Sequence, residues 1–106
     1  MKKTTRYIFK LWLNDQTTRR QEVRTLDAFK LANKVTTEAF GWCSIIEQNW
    51  WYKYIDWQII DEVSLSIEVL DFSGITVEQI HEHKELLKKL FNQEEVICYR
   101  DEVREI

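Results

Sequence analysis

The stretch VSLSIEVLDFSGITVEQIHEHKELLKKLFN, residues 63–92, contains the clearest strand and the clearest helix of the chain. Apolar and polar side chains alternate over residues 63–69, a period typical of a strand with one buried face. Thr76 and Gln79 have the spacing of a capping box, which marks the start of a helix. Apolar residues at positions 77, 80, 87, 90 and 91 then fall along one stripe of that helix. The stretch therefore predicts a strand followed by an amphipathic helix.

The same criteria divide the rest of the chain into further strands and one more helix. The first helix is expected to begin at Thr25 and to end at Gly41, because glycine tolerates the left-handed conformation that ends helices. The other predicted strands are 5–13, 19–25, 42–48, 50–60 and 94–101, and a turn at 14–18 joins the first two into a hairpin.

The predicted element order is ββαβββαβ, which we assign to a single α+β domain over residues 1–106. Because each helix offers one apolar stripe, we expect a mainly antiparallel sheet of five to six strands with two helices on one face. A split β-α-β arrangement of the ferredoxin type, with an extra hairpin strand, is one topology that fits. The chain has no proline and two glycines, so no interdomain linker is expected.

The composition limits the classes of protein to which the chain can belong. The chain has 106 residues, of which 44% are hydrophobic, and this is enough material for the core of one domain. No apolar run approaches the roughly 18 residues that a membrane span needs. The N-terminus has no signal-peptide cleavage site, and two cysteines are too few for a disulfide framework. We therefore predict a cytoplasmic location and no membrane association.

Residues that carry catalysis or bind metals show no convincing pattern. His81 and His83 would diverge by about 200° on a helix and cannot bind one metal ion together. Neither Cys43 nor Cys98 lies in a nucleophile signature, and two isolated glycines cannot form a phosphate-binding loop. The paired acidic residues fall at predicted turns and strand ends, where they would be solvated, as would the histidine-bearing face of the helix. We therefore predict no catalytic residue, no cofactor and no metal.

The segment EQNWWYKYIDWQII, residues 47–60, holds three of the five tryptophans and two of the four tyrosines. If the helices shield one face of the sheet, rings on the other face need a different cover. That cover could be the chain's own hairpin or tail, a second copy in a homodimer, or a protein partner. The predicted protein-binding residues are Trp50, Tyr52, Tyr54, Asp56 and Trp12.

An alternative site lies on the predicted first hairpin. The first 34 residues carry a net charge of +6 and the remainder −9, so basic side chains concentrate near the N-terminus. A basic hairpin can contact phosphates, although the overall charge of −3 weakens attraction to nucleic acid. The candidate nucleic-acid-binding residues are Arg6, Lys10, Arg19, Arg20 and Arg24.

These observations favour a small non-enzymatic protein-binding module that docks on a nucleic-acid-handling enzyme through its aromatic sheet face and acidic surface. In size and in its scarcity of glycine and proline, the chain is similar to small phage- or plasmid-borne inhibitors such as anti-CRISPR proteins. That likeness involves no motif. The expected partner is a protein or a second copy of the chain. A nucleic-acid-binding accessory domain is the alternative, and an enzyme that uses Cys43, Cys98 or His81 is a third hypothesis.

Overall fold

In the part of the chain that the structure describes, four strands and two helices follow one another in the order βαββαβ. A computed structural model describes residues 2–53, 59–104 and 106. In chain order, the elements of this described part are β1 (Lys3–Trp12), α1 (Thr25–Phe40), β2 (Ser44–Lys53), β3 (Ile59–Asp71), α2 (Val77–Leu90) and β4 (Ile97–Arg104).

The strands form one sheet with the order β2-β3-β1-β4, in which all neighbours are antiparallel. β3 separates the two strands that flank α1, and β1 separates the two that flank α2. This is the split β-α-β arrangement. The predicted α+β class, antiparallel sheet and two helices are confirmed. The predicted number of strands is wrong, because the sheet has four rather than five to six.

Two predicted breaks do not interrupt the strands. β2 continues through Asn49, and β3 continues through Asp61 and Glu62. The two strands pair without interruption along their described length. Turn-forming residues have only weak local preferences, and a continuous ladder of backbone hydrogen bonds overrides them. The predicted strands at 42–48, at 50–60 and from 63 onward therefore correspond to two longer strands, β2 and β3.

The predicted strand at 19–25 does not form, so the basic hairpin is wrong. A single bridge, between Asn14 and Gln21, is all that extends the sheet pattern into this loop. Arg19 has a φ of 62°, which is incompatible with an extended strand. β1 already pairs with β3 on one side and with β4 on the other. Both of its edges are therefore occupied, and none is left for a hairpin partner.

The core lies between the helices and one face of the sheet. β1 and β3 contribute alternate residues to it, and the small residues Ala28 and Ala32 bring α1 close to the strands. The described helices fall short of the length and hydrophobicity that crossing a bilayer requires. The largest fully buried side chains include Phe9, Leu11, Leu65, Ile67 and Leu87.

α2 begins, and α1 ends, where the local signals predict. The Thr76 hydroxyl accepts a hydrogen bond from the Gln79 backbone N–H at 3.2 Å, and the Gln79 side chain accepts one from the Thr76 N–H at 2.8 Å. This completes the capping box of α2. Gly41 ends α1 with a φ of 83°. Both predictions are confirmed.

His83 lies in the core, whereas His81 is exposed. The His83 ring packs edge-on against Phe9 and Phe40, with centroid distances of 5.1 and 5.0 Å. The prediction of a solvated histidine face is therefore wrong for His83. It occupies the inward stripe of α2 between Ile80 and Leu87.

Candidate functional site

Both described helices pack on one face of the sheet, and we call the opposite face the open face. Strand alternation and register define its members. Three of its rings and aliphatic side chains are well exposed, namely Ile46 at 60%, Tyr99 at 53% and Trp50 at 44%. The open face comprises Arg6, Ile8, Lys10, Trp12, Ile46, Gln48, Trp50, Ser64, Ser66, Glu68, Leu70, Ile97, Tyr99 and Asp101.

A hydrogen-bonded cluster holds Lys10 at the centre of the open face. The Lys10 Nζ donates to Gln48 Oε1 and to Ser66 Oγ, both at 2.6 Å. The Ser66 hydroxyl in turn donates to Gln48 Oε1 at 2.8 Å. Within the described residues no carboxylate pairs with the Lys10 ammonium. The centre of the face therefore presents a fixed positive charge that an anionic group could approach.

Arg6 joins two carboxylates on neighbouring strands. Its guanidinium donates to both Asp101 oxygens, at 2.9 Å from Nε and 2.6 Å from Nη2, a bidentate geometry. This hydrogen bond lowers the pKa of Asp101 and raises that of Arg6. The Nη1 atom lies 3.5 Å from Glu68 Oε2. Asp101 is therefore committed to Arg6, whereas Glu68 is held loosely.

Glu68 is a carboxylate on this face that retains acceptor capacity for a ligand. Its side chain is 29% exposed, and its hydrogen-bond partner among the described residues is Arg6. Its other oxygen has open acceptor capacity. A half-buried carboxylate of this kind attracts a cationic ligand atom more strongly than a fully solvated one does.

Aromatic rings lie at two places on the open face. The Trp50 indole donates from Nε1 to Ser64 Oγ at 2.7 Å, which fixes the ring over a fully buried serine. Trp12 lies opposite Ser64 in the register of β1 and β3. Tyr99 lies on β4 opposite Ile8. Exposed rings on a rigid sheet are platforms on which a planar heterocycle can stack.

The predicted protein-binding residues fall into three groups. Trp50 and Trp12 lie on the open face, so the Trp50 ring is outside the core. Tyr52 lies in β2 opposite Ile60. Tyr54 and Asp56 lie outside the described residues. The prediction that a protein partner or a second copy covers this face stays a prediction.

The predicted nucleic-acid-binding residues are not gathered on one hairpin. Arg6 and Lys10 lie on the open face, in the contacts given above. Arg19 and Arg20 lie in the loop between β1 and α1, and Arg24 immediately precedes α1 and pairs with Asp27 at 3.1 Å. The five side chains therefore belong to two separate surfaces.

Sequence reasoning missed Glu68, Asp101 and Gln48 as site residues. The alternation over residues 63–69 placed Glu68 on the polar side of a strand, but only the strand order brings it to Arg6. The acidic pair that contains Asp101 lies within β4, not at a strand end, and Asp61 and Glu62 lie within β3. These placements are wrong in the prediction because the strands extend further than their local signals.

Comparison with known proteins gives a fold match only. No family model matches the sequence, and no curated protein matches it. A solved structure of a phage SAM lyase in the apo state is similar, with a TM-score of 0.65 and 20% identity over 94% of this chain and 81% of that chain. The phage SAM lyase in complex with S-methyl-5′-thioadenosine gives a TM-score of 0.66 and 20% identity over 93% and 81%. At this identity, the likeness establishes the fold.

The match overturns the predicted function. Over nearly its whole length, the chain has the fold of an enzyme. The prediction of a non-enzymatic inhibitor that docks on a nucleic-acid-handling enzyme conflicts with this finding and is wrong. The alternative, a nucleic-acid-binding accessory domain, depended on the hairpin that does not form.

Proposed function

We propose that this chain is an enzyme that cleaves S-adenosylmethionine and releases S-methyl-5′-thioadenosine. The observation that supports this proposal is the fold match to phage SAM lyase over 94% of the chain, together with the match to the same enzyme holding S-methyl-5′-thioadenosine.

The proposed reaction breaks one bond of the substrate. S-Methyl-5′-thioadenosine is S-adenosylmethionine without its four-carbon amino-acid chain, so the bond between sulfur and that chain must break. The electron pair of the bond stays on sulfur, and the sulfonium becomes a neutral thioether. A lyase adds no water. The four-carbon fragment must therefore close its own carboxylate onto the electron-poor carbon, or lose a proton from the neighbouring carbon.

The open face offers groups that suit this substrate. We assign Glu68 to the sulfonium, because a half-buried carboxylate attracts a cation. Trp50 and Tyr99 offer rings on which adenine could stack. The Lys10 ammonium, fixed by Gln48 and Ser66, suits the substrate carboxylate.

The test incubates the purified chain with S-adenosylmethionine and measures S-methyl-5′-thioadenosine by liquid chromatography and mass spectrometry. Because S-adenosylmethionine decomposes slowly in buffer, a reaction without protein sets the baseline. We expect production well above that baseline. No excess over the baseline would contradict the proposed function.

Matched variants test the site separately from the function. Glu68→Gln keeps the size of the side chain and removes its charge, and we expect a loss of at least about tenfold in kcat/KM. Glu47→Gln is the control, because Glu47 is exposed on the same sheet but alternates to the opposite face. If the wild-type chain is active and the two variants are equally active, the role of Glu68 is contradicted and the proposed function is not.

A further inference from the structure

A recess lies between α2 and β4 on the helix-bearing side of the sheet. It is a partly open recess of about 170 Å3. Its strand residues alternate with those of the open face, so the thickness of the sheet separates the two places. We call it the α2–β4 recess; its lining includes Tyr7, Val77, Ile80, Lys84, Cys98 and Arg100.

The two cations of the α2–β4 recess have no ion-pair partner among the residues that the structure describes. The acidic residues next to them in sequence are already engaged. Glu85 pairs with Lys88 at 3.1 Å, and Asp101 pairs with Arg6 on the open face. Lys84 and Arg100 therefore bring two uncompensated positive charges to one small recess.

His81 is a further titratable residue in the lining of the recess, and Glu102 is the next acidic residue along β4 after Asp101. Glu102, two residues beyond Arg100 on β4, lies 3.9 Å from Lys3. His81 is exposed and lies at the recess beside Lys84.

The Tyr7 hydroxyl is a second and independent feature of the recess. Tyr7 is 8% exposed, yet no hydrogen bond to its side chain occurs in the described structure. Since no buried side-chain oxygen or nitrogen in the described chain lacks a partner, the hydroxyl must be accessible to solvent, and Tyr7 is one of the residues that line the recess. A donor that is otherwise enclosed by the core is thus presented to whatever occupies the recess.

Cys98 adds no negative charge to this place. Burial raises the pKa of its thiol to about 11, so the thiol is protonated at neutral pH. Val77 and Ile80, on the same helix as Lys84, supply aliphatic surface to the recess. The recess therefore combines two free cations, a hydroxyl donor and apolar walls.

We propose that the α2–β4 recess binds a small carboxylate with a short aliphatic chain. The Arg100 guanidinium can take the planar carboxylate as a bidentate partner, and Lys84 and the Tyr7 hydroxyl can complete its hydrogen bonds. The aliphatic chain would lie against Val77 and Ile80. This proposal does not depend on the proposed function, because it concerns the other side of the sheet and its test uses no S-adenosylmethionine.

The test follows backbone amide chemical shifts of the isotope-labelled chain during titration with butyrate. We expect saturable shifts confined to residues that line the α2–β4 recess. Butanol has the same chain length without the charge, and inorganic phosphate has the charge without the chain. We expect both to bind at least tenfold more weakly than butyrate.

Three variants locate the site. The double variant Lys84→Gln/Arg100→Gln should weaken butyrate binding at least tenfold, and Tyr7→Phe should weaken it several-fold while leaving the ring in the core. Lys89→Gln/Arg104→Gln is the matched control, because it removes the same charge from the same helix and strand away from the recess. Shifts elsewhere, equal binding of butanol or phosphate, or equal loss in the control variant would overturn the proposal.

Discussion

The Nε2 atom of His83 and the Oγ1 atom of Thr36 lie 2.8 Å apart, and neither residue is more than 3% exposed. This hydrogen bond joins α2 to α1 beneath the rings of Phe9 and Phe40. A histidine enclosed in this way is uncharged in the folded chain. Two predictions follow from its neutral form.

The first prediction concerns the loss of folding stability at acidic pH. Burial lowers the pKa of His83 to about 4, below its ordinary value of 6.5. Because the unfolded chain then binds a proton that the folded chain excludes, stability is complete above pH 6.5 and is lost as the pH falls towards 4. The loss from this residue amounts to about 3 kcal/mol. Urea unfolding between pH 7 and pH 4 measures it.

Two variants isolate the contribution of His83 from that of the carboxylates. His83→Gln should show a smaller loss of unfolding free energy over this range than the wild-type chain. His81→Gln, two positions away and exposed, is the control for a histidine outside the core. An unchanged pH dependence in His83→Gln would contradict the prediction.

The second prediction concerns the Thr36 hydroxyl. Thr36→Val preserves the shape of the side chain but leaves the His83 Nε2 atom buried without a partner, and this should cost about 1–3 kcal/mol of unfolding free energy. Thr37→Val, at the exposed neighbouring position, is the control. Equal losses in the two variants, measured by urea unfolding at pH 7, would show that the hydrogen bond is not the cause.

A third prediction concerns the loop between β1 and α1, which Asn92 fastens to the end of α2. The Asn92 amide donates to both Asp15 oxygens at 2.9 Å, and this contact lowers the pKa of Asp15. Asn92 also has a φ of 47°, in the left-handed region. Asn92→Gly removes only the amide contacts, whereas Asn92→Ala also strains the backbone. The alanine variant should therefore be less stable than the glycine variant by about 1 kcal/mol.

Thermal unfolding of the two Asn92 variants provides the comparison. Alanine ordinarily stabilises a chain relative to glycine by restricting the unfolded state. A more stable alanine variant would therefore mean that the left-handed conformation at Asn92 does not constrain the fold.

A fourth prediction concerns the start of α2. Thr76→Ala removes the hydroxyl that accepts the Gln79 N–H, and we expect a loss of about 1 kcal/mol. Thr76→Ser keeps the hydroxyl and should restore most of it. Chemical denaturation of the three chains measures the differences, and equal stability of the alanine and serine variants would argue against the cap.

The fifth prediction concerns the ring at the edge of the open face. Trp50→Phe deprives the buried Ser64 hydroxyl of its hydrogen-bond donor and should cost about 1–2 kcal/mol. In the double variant Trp50→Phe/Ser64→Ala, the loss should be smaller than the sum of the two single losses, because they share one interaction. Strict additivity in urea unfolding would contradict the contact. Trp42→Phe, at an exposed tryptophan, controls for the loss of ring area.

Elements with strong local signals could be predicted from the sequence. The capping box of α2 and the end of α1 at Gly41 depend on residues within a few positions of one another, and both form as predicted. Segments with weak signals could not. The basic segment at 19–25 alternates poorly, and it is a loop because β3 and β4 already occupy both edges of β1.

The candidate site shows the same division. Local alternation indicates that Glu68 and Lys10 lie on polar sides of strands, but it does not indicate which strands are neighbours. Gln48 meets Lys10, and Asp101 meets Arg6, only because β3 and β4 flank β1 and β2 lies beyond β3. The inward position of His83 likewise depends on how α2 packs, since two histidines two positions apart look alike in sequence.

By itself, the sequence determined the α+β class, the two helices, the start of α2 and the end of α1, because hydrophobic period and capping act over a few residues. The tertiary structure alone decided the number and order of the strands, the burial of His83, and the meeting of Arg6 with Asp101 across 95 positions of chain. The physical reason is that strand pairing is a long-range competition for backbone hydrogen bonds, and its outcome depends on all the strands at once.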